Sequence, residues 1–178
     1  MKIMRYLLLA VVATALLSSA ALGQNRKPVK RTTTTPKTAA TLPPLDVRAA
    51  RVTVSNQLAN VTRFVTLLGP IGQAIEALDA EAKVKKLKKE SLDKNAADKQ
   101  TVIVTIRNLR QGMVKLESEF RVKPALKKYL PTIQGISTLA GQAEDSAIAG
   151  KLVAANTPLR TIQQKLTDTL AAMPNAEL

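Results

Sequence analysis

Five of the seven residues from 83 to 89 are lysines: Lys83, Lys85, Lys86, Lys88 and Lys89. A run of this kind concentrates positive charge, which draws in an anionic partner and also suits the C-terminal end of a helix. Lys127 and Lys128 add a second doublet. From residue 83 to 128 fourteen basic residues face five acidic ones, a net of +9, whereas the rest of 46–178 carries six against eight, a net of −2. One side or end of the folded domain is therefore expected to be electropositive. These seven lysines are the candidate binding residues. The candidate partners are an anionic envelope polymer, a membrane surface or an acidic protein.

Other chemistry is limited by what the chain lacks, because it has no Cys and no His. Ser-His-Asp and Cys-His catalysis, HExxH zinc sites and disulfide staples are excluded. Carboxylates remain. Glu76 and Asp79 share a helical face, and Asp93, Asn95 and Asp98 crowd one stretch, but the latter lacks the Gly and terminal Glu of an EF-hand loop. Glu117 with Glu119, and Glu144 with Asp145, are not spaced to converge on one substrate. No catalytic residue, metal or cofactor is predicted. Asn60, Val61 and Thr62 form a glycosylation sequon, read as chance because Val61 falls on an apolar stripe. Specific nucleic-acid recognition is not expected, since beyond residue 23 the aromatics are only Phe64, Phe120 and Tyr129, too few for base stacking.

The elements that carry these residues follow from apolar spacing. Val47, Ala50, Val54, Leu58, Val61, Phe64, Val65 and Leu68 recur at three- and four-residue steps behind Asp46, a candidate N-cap, and predict a first helix that Gly69 and Pro70 end. Ile71, Ala74, Ile75, Leu78 and Ala82 predict a second, with Ala77, Ala80, Val84 and Leu87 on its opposite side. Asn95 and Asp98 resemble a capping box opening a third helix, whose stripe is Val102, Ile106, Leu109, Met113, Leu116 and Phe120. Pro124 closes it or starts a short turn through Tyr129, and Pro131 introduces a fourth segment with Ile133, Ile136, Ala140, Ala143 and Ala147. Thr157 and Pro158 look like the start of a fifth, carrying Leu159, Ile162, Leu166 and Leu170. No strand pattern or hairpin signal occurs. The predicted class is all-α, an antiparallel helical bundle of four to five helices spanning 46–178.

Ahead of the bundle, Lys2 and Arg5 precede an apolar run from Tyr6 to Leu17 and small residues up to Gly23, the pattern of a cleavable secretory signal peptide over 1–23. That run is too short and too interrupted by serines for a span, so none is expected after processing. Residues 24–45 hold Arg26, Lys27, Lys30, Arg31, Lys37, four threonines in a row and four prolines, a composition that predicts a disordered basic linker. An exported chain of this composition, basic, helical and without His, resembles small periplasmic chaperones of the Skp type. That resemblance implies holdase activity as an alternative. The leading expectation is a non-enzymatic protein, periplasmic or extracellular, that binds an anionic partner or forms a homo-oligomer; an enzyme ranks third.

Overall fold

In a computed structural model of the 178-residue chain, the described residues are 42–175. The signal peptide and all but the last residues of the linker lie outside them. The chain forms α1 (Leu45–Val84), α2 (Lys89–Val122), a 3-10 helix (Pro124–Tyr129), α3 (Leu130–Ile133), α4 (Ile136–Ile148) and α5 (Leu152–Ala172). Among the described residues there is no strand, and no helix is long and apolar enough to cross a membrane.

Four of these helices close a ring in which α1 packs on α5, α5 on α4, α4 on α2 and α2 back on α1. Neighbours run antiparallel. The first helix buries Val47, Ala50, Val54, Val61, Val65, Leu68, Gly72 and Ile75, a seam with the three- and four-residue steps of knobs-into-holes packing. From α2 come Val102, Ile106, Met113, Leu116 and Phe120, and from α5 Leu152, Ala155, Leu159, Ile162 and Leu166. The fourth helix offers mainly Ala140, Ala143 and Ala147. Such small side chains bury little area each, so α4 is held by close approach to its neighbours rather than by large anchors.

The predicted all-α antiparallel bundle is the observed fold, but four element ends differ from expectation. Gly69 and Pro70 do not end the first helix, which continues for 40 residues to Val84. Pro70 is exposed, and the cost of a proline inside a helix, about 3 kcal/mol for the missing hydrogen bond and the crowding of the preceding turn together, is offset by the seam on either side. Asp46 is not an N-cap; it lies in the first turn and pairs with Lys123 at 3.6 Å. Asn95 is not a cap either, because α2 starts at Lys89 and Asn95 sits buried inside it, donating from Nδ2 to Asp79 Oδ1 at 2.7 Å. The fifth helix begins at Leu152 and contains Pro158. Its first turn forms early because Glu76 of α1 accepts the Val153 N–H at 2.8 Å. The fourth segment divides at Gly135, whose φ of 88° needs a residue without a Cβ.

Gly72 explains how α1 and α5 meet. A Cβ at this position would lie 3.1 Å from Leu152 Cβ and 3.3 Å from the backbone of Leu152 and Val153. Gly72→Val is therefore expected to lower unfolding free energy by about 2 kcal/mol through overpacking. At Gly69 the nearest atom to such a Cβ is Asn156 Nδ2 at 3.7 Å, an ordinary contact. Gly69→Ala should stabilise by up to about 1 kcal/mol. Urea denaturation of the two variants checks the opposite signs.

Candidate anionic-surface interface

The α1–α2 connection holds the first lysine group. Lys83 occupies the last turn of α1, Lys85 terminates the helix with extended backbone, Lys86 and Lys88 lie in the link, and Lys89 opens α2. All five are exposed. Lys85 reaches Glu81 at 3.2 Å, and the other four have no ion pair among the described residues. No residue between Ile75 and Asn95 is buried, and Lys83 lies alongside Ala149, Gly150 and Lys151, where α4 turns into α5. Val84, at the end of the apolar line opposite the seam, is exposed, as are Ala77 and Ala80. The helix ends there instead of burying a second face.

Lys127 and Lys128 are exposed too, but they belong to the 3-10 helix after α2, and Lys128 Nζ lies 4.8 Å from the Tyr129 ring centroid. The Lys123–Asp46 pair places that region beside the start of α1. A 40-residue helix is about 60 Å long, so the seven candidate lysines form two groups at opposite ends of the bundle. The sequence leads one to expect one electropositive side or end; the candidate lysines themselves stand in two groups, one at each end of the α1–α2 hairpin.

Between these two poles, three basic residues of α2 are paired with carboxylates, whereas Arg63, Lys115, Arg160 and Lys165 have no ion pair among the described residues. Lys99 donates to Asp79 Oδ2 at 2.6 Å, and Arg107 Nε and Arg110 Nη1 each donate to Glu144 at 2.8 Å. Hydrogen bonds from Arg110 and then Arg107 hold the Glu144 carboxyl below the usual carboxylate range, and its bond to Glu144 raises Arg110. An open groove of about 650 Å³ runs beside this cluster, lined among others by Arg110, Val114, Lys115 and Glu144.

Glu117 is the other buried carboxylate. It accepts from the Gly135 N–H at 3.0 Å, the Ser137 N–H at 3.0 Å and the Ser137 hydroxyl at 2.6 Å, and it pairs with Arg121. The two amides are free N–H groups at the N-cap and in the first turn of α4, so a side chain of α2 caps α4 and meets the positive end of its dipole. The sequence showed Glu117 beside the apolar stripe but not its partners, which lie 18 and 20 residues on. The carboxylates considered for metal are likewise engaged: Glu76 holds the start of α5, and Asp79 holds Asn95 and Lys99. Asp93 and Asp98 are exposed on α2. Among the described residues no three His, Cys, Asp or Glu side chains gather as a metal site.

No family model, no curated protein and no solved structure matches this chain.

Burial pushes the Glu117 carboxyl up, but hydrogen bonds from the Ser137 hydroxyl, the Gly135 and Ser137 amides and Arg121 together outweigh it and bring its pKa to about 2, against 4.5 ordinarily. A carboxyl lowered on folding stabilises the fold above its unfolded pKa and loses that contribution as pH falls through the folded one. The bundle should thus lose about 2 kcal/mol between pH 5 and pH 2 from this group, the full shift being discounted for its solvent-facing Arg121 partner. Glu117→Gln should be less stable at neutral pH and flatter across that window. Denaturant titrations at several pH values read both effects.

Proposed function

We propose that this chain is an exported, non-enzymatic helical-bundle protein that docks on anionic surfaces through the lysines of its α1–α2 end. The observation carrying this reading is the concentration of Lys83, Lys85, Lys86, Lys88 and Lys89, all exposed, on an end where no residue between Ile75 and Asn95 is buried. Four of those ammonium groups have no ion pair among the described residues, so their charge is available to a partner. Export rests on the tripartite pattern of residues 1–23. A non-enzymatic role is favoured because Glu117 and Glu144, the two buried carboxylates, are engaged by donors of the fold itself.

Holdase activity is the second reading. The α1–α2 end favours it, since Val84 and Leu92 are exposed there beside the lysines and offer apolar contact to an unfolded client. A holdase would suppress client aggregation at near-stoichiometric ratios, whereas a surface-docking protein would have no such effect.

Mature protein recovered from the producing cell should begin near Gln24; an intact Met1 would remove the basis for export. Binding to anionic vesicles or to polyphosphate should weaken steeply with salt, since at physiological ionic strength the Debye length is only about 8 Å. Changing Lys85, Lys86, Lys88 and Lys89 to Gln should cost about 1 kcal/mol for each lysine in contact while helicity is kept, because Gln and Lys have similar propensities. Residues 24–41 carry five further basic residues, so the comparison is made with and without them. Unchanged binding in the variant would refute the assignment of these lysines.

A further inference from the structure

We propose that both poles of the α1–α2 hairpin dock on anionic lipid, so that one molecule bridges two bilayer surfaces. The inference rests on the surface-docking reading above and extends it to a second contact and to one partner chemistry.

The first support is geometry. With α1 about 60 Å long, the Lys83–Lys89 end and the Lys127–Lys128 end point away from each other, and one flat surface cannot meet both end-on. That separation is many times the ~8 Å Debye length, so each pole senses its own surface independently. Charge is the second support. Lys99, Arg107, Arg110 and Arg121 along the shaft are paired with Asp79, Glu144 and Glu117, and Arg63, Lys94, Lys115, Arg160 and Lys165 stand there singly without an ion pair among the described residues, as do Lys83, Lys86, Lys88, Lys89, Lys127 and Lys128 at the ends. Adjacent unpaired lysines, Lys88 with Lys89 and Lys127 with Lys128, occur only at the two ends.

Apolar exposure decides the partner. The three most exposed large apolar side chains among the described residues are Val84 at 80%, Leu45 at 75% and Val122 at 72%. Val84 lies between Lys83 and Lys85, whereas Leu45 opens α1 and Val122 closes α2 next to Lys123, so all three stand at the poles. A polyphosphate or wall polymer has charge but no apolar phase to receive them. A bilayer interface supplies both, with anionic headgroups for lysine and an acyl boundary for Val and Leu.

The test uses the mature chain with phosphatidylglycerol–phosphatidylcholine vesicles, following co-sedimentation for binding and light scattering for clustering. The protein should bind and cluster the vesicles, and clustering should decline when excess protein saturates each vesicle separately. Lys83, Lys85, Lys86, Lys88 and Lys89 all changed to Gln should leave residual binding through the other pole and lose clustering. Val84→Ser with Val122→Ser should weaken vesicle binding roughly tenfold and leave polyphosphate binding unchanged. Far-ultraviolet circular dichroism confirms that each variant is folded. Binding without clustering, or clustering that survives the five lysine changes, overturns bridging. An equal response of vesicles and polyphosphate to the valine pair overturns lipid as the partner. Polyphosphate binding without any vesicle binding refutes this inference and leaves the surface-docking reading standing; binding to neither removes both.

Discussion

The bundle depends on side chains of its two long helices reaching across to hold the ends of its two shorter ones. Glu117 of α2 takes the first amides of α4, Glu76 of α1 takes the Val153 amide of α5, and Arg51 of α1 donates to the Leu170 and Met173 carbonyls where α5 ends. Each bond satisfies a backbone group that a helix terminus leaves free, and each places a charge where it complements the helix dipole. None of the five α-helices has a side-chain cap from its own N-cap residue. A 13-residue helix with Gly141 inside it and an alanine face would be marginal alone. In this fold α4 persists because α2 supplies its cap, its ion pair through Arg107 and Arg110, and the opposite wall of its packing.

This cross-helix capping also explains how much was legible in the sequence. Apolar spacing is a local signal, so the seams of α1, α2 and α5 and the all-α class could be derived from residues such as Val54, Ile106 and Ile162. Helix ends were not local. Asn95 has the residue type of a cap and Asp98 follows it three positions on, yet its partner is Asp79, sixteen residues back on another helix. Thr157 and Pro158 carry start signals that are overridden once Glu76 caps the chain five residues earlier. Glu117 and Glu144 are adjacent in sequence to other acids, and only the fold shows that each faces basic groups instead of its neighbour.

The candidate site was legible by residue type and not by distribution. A net of +9 over 46 residues suggests one broad electropositive side, but net charge has no direction. The antiparallel return of α2 carries Lys127 and Lys128 away from Lys83, and carboxylates of α1 and α4 pair with Lys99, Arg107 and Arg110 between them. Adjacent unpaired lysines stand only where the hairpin stops, at Lys88 with Lys89 and at Lys127 with Lys128.

Continuity of α1 through Pro70 is therefore more than a correction to a helix boundary. A break at Gly69–Pro70 would have allowed the following helix to turn back along the bundle, bringing the Lys83 end toward the Lys127 end and merging the two charged groups. Instead the seam passes the proline without losing register, with Leu68, Gly72 and Ile75 all buried at the expected three- and four-residue steps. Gly72 sits in that seam where a larger residue would push α5 away, so the close contact with Leu152 holds both sides of the proline to one partner. The separation of the poles, and with it any function that depends on two distant surfaces, follows from a helix that runs unbroken past its proline, with Gly72 in close contact with α5 just beyond it.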